Sequence, residues 1–251
     1  AGGSPNTWDN NNGQDWHFAV QPGNGDPPAQ WVMDGVLDSG ATLIQTNMGL
    51  SLWAGLIGDV LYVATNDAGE GNDHFILVAR DVNPLRAAMW AKAGQVAGWD
   101  AFLADENDND YEGWFDATGA TQAATGPNGG VLEGTINLVQ EFGTRPRFIR
   151  LAIALYGNAD GGALLHTHQI APSVNNDGNV DASEYVVIDL CTLAGNCCIA
   201  DFDANGGVDG GDLAAFFASF ETGDASADVD NNGGVDGGDL AYFFTRFEAG
   251  C

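Results

Sequence analysis

The chain has 251 residues, 45% of them apolar, and sets seven Lys and Arg against 35 Asp and Glu for a formal net charge of −28. Such a surface excludes nucleic acid and anionic lipid as partners, because almost nothing basic is present to neutralise phosphate, and it attracts divalent cations. No apolar run is long enough for membrane insertion, and a chain that opens at Ala1 without a charged-then-apolar leader reads as a soluble product after signal-peptide removal, extracellular or at the cell surface.

Residues 1–30 are rich in Asn, Gly and Pro, interrupted by Trp8, Trp16, His17 and Phe18. They read as an N-terminal extension that packs on its own domain or lies along a neighbouring subunit as a donated strand. Between 31 and 190 come short β-branched or aromatic runs separated by Gly, Asn and Asp turns: Ala41–Thr46, Leu50–Leu56, Val60–Thr65, His74–Arg80, Ala88–Ala93, Ala101–Ala104, Val131–Asn137, Phe148–Tyr156, Leu164–Gln169 and Tyr185–Leu190. Many short strands with turn punctuation predict a mostly β fold, an antiparallel β-sandwich. One short helix is expected at Leu138–Phe142.

Within this region Asp34-Gly35-Val36-Leu37-Asp38, Leu52-Trp53-Ala54, Gly58 to Ala64 and Leu132 to Leu138 resemble the strand pattern of DOMON-like sandwiches related to carbohydrate-binding family 9. That resemblance covers most of residues 31–190. It implies a domain that binds sugar or haem, or serves as an accessory module, rather than one that performs chemistry.

Several polar positions invite a ligand. Asp105, Asn107, Asp108 and Asp110 read as a solvated hairpin tip, with a structural ion as the alternative. His166 and His168 alternate along a strand and so share a face, as stacked surface histidines or as metal or haem ligands. Ser173, Asn175, Asp177, the carbonyl of Asn179, Asp181 and Glu184 fall into a calcium-loop register around Gly178, a candidate third metal site that competes with a plain Asn-Asp-Gly turn. Among the seven tryptophans, Trp99 and Trp114, beside acidic turns, are the candidates for glycan contact.

All four cysteines, Cys191, Cys197, Cys198 and Cys251, lie in the last quarter of the chain. They permit three pairings. Cys198 with Cys251 is preferred, because that bridge would fasten the two ends of the segment between them, leaving Cys191 with Cys197; an oxidising compartment suits disulfides, and no nearby His supports a zinc site.

That segment carries the sharpest feature of the sequence. The twelve residues from Asp201 to Asp212 recur almost unchanged from Asp228 to Asp239. Calcium takes six to eight oxygens at roughly 2.3–2.6 Å, which a twelve-residue loop supplies from positions 1, 3, 5, 7, 9 and 12 around a Gly at 6. The first ligand set is Asp201, Asp203, Asn205, the Gly207 carbonyl, Asp209 and Asp212. The second is Asp228, Asp230, Asn232, the Gly234 carbonyl, Asp236 and Asp239, so at least two Ca2+ ions are expected. Val208 and Val235 at position 8 would join the loops by a short strand pairing. Each loop leads into a run with aromatic residues at helical spacing: Leu213, Phe216, Phe217 and Phe220, then Leu240, Phe243, Phe244 and Phe247. A tandem EF-hand-like module spanning 191–251, folded by its metal, follows.

The duplicated loop and helix with Asp at position 12 is similar to type I dockerins, modules that plug into cohesin receptors on surface scaffolds. Calcium binding is what this resemblance implies. Cohesin recognition does not carry over, since the partner-reading positions 10 and 11 are Gly210-Gly211 and Gly237-Gly238, the loops are more closely spaced than usual, and the flanking cysteines are atypical.

No Gly-x-Ser-x-Gly elbow, His-Glu-x-x-His pair or phosphate loop is present, and Lys92 is the sole lysine. The expectation is therefore a non-catalytic protein. Two readings stand: a secreted assembly protein, a surface adhesion, layer or fibre subunit that self-associates or joins a cell-surface protein, which is preferred; and a carbohydrate-binding accessory protein tethered to a scaffold or polysaccharide by its tail.

Overall fold

The computed structural model describes residues 31–251 apart from 67–70, 83, 108–110, 126–129, 168–175, 196–197, 204–206, 231–233 and 251. Trp31–Cys251 form one compact unit; the expected strand-donating segment 1–30 lies outside the described residues.

The fold is a mostly β, antiparallel sandwich. β1 (Thr42–Asn47), β2 (Leu50–Ile57) and β3 (Val60–Asn66) form a meander, and β10 (Val131–Asn137) and β9 (Ala120–Thr125) complete the first sheet in the order β1-β2-β3-β10-β9. The β1–β2 connection is two residues long, Met48 and Gly49, both at positive φ (51° and 85°), so a twisted hairpin turn brings Asn47 opposite Leu50. The second sheet runs β12 (Leu164–Thr167), β11 (Phe148–Gly157), β4 (Asn72–Ala79), β7 (Ala101–Glu106) and β8 (Tyr111–Phe115), with β13 (Val186–Asp189) pairing the other half of β11. Alternate residues of both sheets meet in one core that includes Leu52, Leu61, Val63, Ile76, Leu103, Leu132, Leu151 and Ile153. The helix α1 (Leu138–Phe142) begins as expected, its N-cap Asn137 accepting from the Gln140 amide and Gly143 closing it in the left-handed conformation.

A second apolar layer explains why β4 reads as an unbroken apolar run. Its outward residues Phe75 and Leu77, together with Phe102 and Tyr156, are covered by Ala88, Met89, Val96 and Ala97 of the segment that holds the two-residue strands β5 (Arg86–Ala87) and β6 (Gln95–Val96). Val96 and Val180 fasten this cover through a parallel bridge, in which the Ala97 amide donates to the Val180 carbonyl and the Val180 amide to the Gln95 carbonyl, each at 2.8 Å.

Ala88–Ala93, expected as a strand, is a turn with Trp90 and Ala91 at φ +45°. The reason is Lys92. Its buried ammonium pairs with Asp73 at 2.5 Å and donates to the carbonyls of Gly157, Asn158 and Ala159 at 3.0–3.1 Å, and the chain must fold back to deliver it there. β8 and β9 were not anticipated: Tyr-Glu-Gly-Trp-Phe and Ala-Thr-Gln-Ala-Ala-Thr carry neither a β-branched run nor clear alternation.

Two stability measurements follow. Lys92→Met leaves Asp73 buried without its counter-charge and is expected to lower unfolding free energy by about 3–5 kcal/mol in chemical denaturation; an unchanged midpoint would contradict the cage. His74, wholly buried on β4, has its imidazole pushed down from 6.5 to about 4 by burial. The unfolded chain therefore binds the proton first, so this contribution is complete above pH 6.5 and is lost as pH falls towards 4, about 3 kcal/mol in all. His74→Leu should flatten the slope of stability between those pH values relative to wild type.

Candidate metal centre

After the one-turn helix α2 (Leu190–Leu193), the C-terminal module is built on two helices of equal length, α3 (Gly210–Thr222) and α4 (Gly237–Ala249). Their spacing of aromatic residues does what the sequence implies. Phe216 and Phe243, both fully buried, stack with ring centroids 4.1 Å apart and planes 3° from parallel, and Phe202 meets each edge-on. Ala227 and Val229 complete this small core.

Each helix is started by its own loop. Asp209 caps α3 by accepting from the Gly211 amide at 2.6 Å, while Asp212 at N3 returns to accept from the Asp209 amide at 2.8 Å. Asp236 and Asp239 repeat both bonds at the same lengths. The second oxygen of Asp212 accepts from the Asp203 amide at 3.0 Å, and that of Asp239 from the Asp230 amide at 3.1 Å. The position-12 carboxylate of each loop is thus fully buried at the point where loop, neighbouring turn and helix meet. For Asp239, burial alone would raise the carboxyl pKa, but the amides of Asp236, Asp230 and Val229 hold it below the ordinary value and keep it ionised.

Asp201, Asp203 and Asp212 each place a carboxylate oxygen within 4.8 Å of the others, and so do Asp228, Asp230 and Asp239. Two oxygens on a calcium ion at about 2.4 Å can be no farther apart than about 4.8 Å. The residues therefore fit the ion: every ligand atom is a hard oxygen, and the amide bonds to Asp212 and Asp239 leave each oxygen a further lone pair for metal. Among the described residues these are the two places where acidic groups converge in this way. Asn205 and Asn232 lie outside the described residues; Gly207 and Gly234 lie within them, between the triads and the helices. Val208 and Val235 form no bridge, and the stacked Phe216 and Phe243 join the two halves instead.

Glycine at position 11 has a local reason that sequence reasoning missed. A Cβ on Gly211 would sit 3.0 Å from carboxylate oxygens of both Asp203 and Asp209, whereas one on Gly210 would meet nothing within 4 Å.

The third candidate repeats part of this pattern. Glu184, buried, accepts from the Asp181 amide at 2.8 Å, as Asp212 does from Asp209, with Val180 at the position of Val208 and Val235. It differs beyond that point: Ala182–Glu184 is a single 3-10 turn leading into β13, the Asn179 side chain accepts from the Gln95 amide at 2.9 Å, and Asp177 accepts from the Asn179 amide at 2.8 Å. Burial raises the Glu184 carboxyl pKa, and the charges of Asp181 and Asp177 raise it further. Ser173 and Asn175 lie outside the described residues, as do His168, Asp108 and Asp110.

Cys191 and Cys198 are both disulfide-bonded. The preferred pairing turns on Cys197 and Cys251, which lie outside the described residues. Trp99 carries the Arg86 guanidinium 3.6 Å over its ring and donates its indole N–H to Asp116 at 2.8 Å. Trp114 packs on the sandwich core and donates to the Gln122 carbonyl at 2.9 Å. Both indoles are thus engaged within the protein.

The module also meets the sandwich. Arg147, at the entrance to β11, lies 5.5 Å from the Phe202 ring and pairs with Asp189 at 3.5 Å. No family model matches the chain, and no curated protein matches it either.

Titration calorimetry separates the two glycines. Gly211→Ala crowds two ligand carboxylates and is expected to weaken calcium binding at the first loop by about tenfold, a loss of about 1.4 kcal/mol. Gly210→Ala should leave affinity unchanged while adding up to about 1 kcal/mol of helix stability. Equal affinities for both variants would remove the close-approach argument.

Proposed function

We propose that the chain is a secreted, non-catalytic, calcium-binding structural protein, a surface adhesion, layer or fibre subunit whose C-terminal loops are folded by calcium and help join copies to one another. The observation that carries this reading is the pair of matching carboxylate triads, each closed by a buried position-12 Asp that also starts a helix. Calcium bound there favours the folded module by mass action, about 2.7 kcal/mol per site at a hundredfold excess over Kd. The resemblance to dockerins supports calcium as the ion, and the resemblance to DOMON-like domains supports a sandwich that binds rather than catalyses. Because the module and sandwich belong to one compact unit, calcium orders a surface of the whole protein rather than a free tail. The carbohydrate-binding reading gains nothing from Trp99 and Trp114, which are engaged within the protein.

Size-exclusion chromatography with light scattering, run with negative-stain microscopy in millimolar calcium and then in excess chelator, tests the proposal. Large or filamentous particles that dissociate on chelation are expected. A monomer in both conditions would leave calcium as a folding cofactor and end the assembly reading.

A further inference from the structure

Edge strands in so acidic a chain are expected to carry charge, because the unpaired amides and carbonyls of an edge invite a second strand and a charge keeps that strand away. Among the described residues the edges of the two large sheets follow that rule with one exception. β8 at one margin of the second sheet carries Glu112, and β12 and β13 at the other carry His166 and Asp189. β9 has no charge, but β8 lies against it and the Trp114 indole N–H donates to its Gln122 carbonyl at 2.9 Å, so that edge is covered. β1, at the opposite margin of the first sheet, carries no charge and pairs with no strand on its far side.

The sequence marks the same place. Residues 39–58 contain no ionisable side chain, in a chain with 35 acidic residues, and they include all of β1, its turn and β2. The result is an uncharged margin two strands wide. Thr42 and Leu43 are exposed on it, Leu43 at 53%, and Met48 at the turn is 73% exposed, while Ile44 packs against the sandwich core. β-Branched Thr42, Ile44 and Thr46 favour the extended backbone. The hydroxyls of Thr46 and Ser51 lie 2.9 Å apart and the Asn47 side chain donates to the Thr167 carbonyl at 3.2 Å, so the strand is held from β2 and from β12. The bulge at Ile44 adds local twist but brings no charge to the edge.

We infer that β1 is the strand at which two copies of the chain join, edge to edge and antiparallel about a two-fold axis, so that two five-stranded sheets become one continuous sheet. Charge selects the occupant. A partner of opposite sign would be met at a charged surface, whereas an uncharged edge is what a like-charged partner needs: two copies at −28 repel over most of their surfaces, and here their backbones approach without setting carboxylate against carboxylate. A two-fold contact also requires a surface that complements itself, and Thr42–Asn47 is polar at both ends, so that on reversal Thr42 meets Asn47. Main-chain bonds supply the affinity of such a pairing. The inference rests on the reading that copies associate and gives that association a surface apart from the calcium loops. Because a two-fold contact closes on itself, β1 alone makes a pair.

Hydrogen exchange and sedimentation velocity on the full chain in millimolar calcium test it. Exchange at the β1 amides is expected to slow by about tenfold or more as rising concentration carries the wild type from monomer to pair. Leu43→Glu puts like charges on the joined edges and is expected to weaken association by about tenfold or more, whereas Leu43→Thr, neutral and strand-forming, should leave it within about threefold. Near-ultraviolet circular dichroism matching wild type in both variants shows that the sandwich is intact. Association of Leu43→Glu as tight as wild type, with β1 amides that exchange alike at every concentration, would remove β1 from the interface while the assembly reading stands. An equal loss in Leu43→Thr would make the contact an apolar patch and overturn the strand pairing. Amides of β1 already protected in the dilute monomer would give the edge to the chain itself and overturn the second copy as occupant. A wild type that stays monomeric throughout would overturn the assembly reading and this contact together.

Discussion

Three carboxylates brought within 4.8 Å of one another repel, and the C-terminal module is built on that repulsion. At such a distance each pair costs about 3.5 kcal/mol at an effective dielectric of about 20, before the rest of a chain carrying −28 is considered. Backbone amides offset part of it, since Asp212 accepts from those of Asp203 and Asp209, and Asp239 from those of Asp230, Asp236 and Val229. A divalent cation bound by the triad would offset the rest. A metal held there would therefore contribute to the folding of this module by relieving that repulsion.

Placing the position-12 carboxylate at the first turn of a helix links the ion to the apolar core. The same Asp that closes the loop fixes where α3 or α4 begins, and the starting point sets which residues reach the interior four positions on. Phe216 and Phe243 arrive at equivalent places because the loops preceding them are equivalent, and two flat rings in register can then stack at 4.1 Å. A displaced ligand would thus be felt in the aromatic core, and through Phe202 and Arg147 at the edge of the sandwich.

The parts of this architecture written in local chemistry were legible. Val131–Asn137 and Leu138–Phe142 appear with the expected bounds because a strand with β-branched residues, buried along its middle, and an Asn-capped helix meet at Asn137. The loops were legible because calcium imposes ligand type and spacing in sequence. What escaped depends on distant partners. Ala88–Ala93 has strand-like composition, but Lys92 is drawn to three carbonyls and a carboxylate contributed from Asp73 and residues 157–159. The second apolar layer over Phe75 and Tyr156 was invisible for the same kind of reason, since its cover is fastened by Val96 and Val180, far apart in the chain. β8 is stabilised by pairing with β7 and by the stack of Phe115 on Phe102, neither of which its own five residues announce.

In so acidic a chain the cations cannot serve as a diffuse counterweight, and each has a particular contact. Lys92 fills its cage, Arg86 covers Trp99, Arg145 reaches Asp59, Arg246 lies over Tyr242, and Arg80, Arg147 and Arg150 gather where module and sandwich meet. General neutralisation is thereby left to ions from solution, most of which screen the surface without ordering it. The two loops are different because backbone amides and helix starts hold their carboxylates in one arrangement. The converging triads and the generally acidic surface are then two consequences of one charge pattern: unscreened, such a surface repels its like, and the loops are the place where a fixed cation would alter that balance.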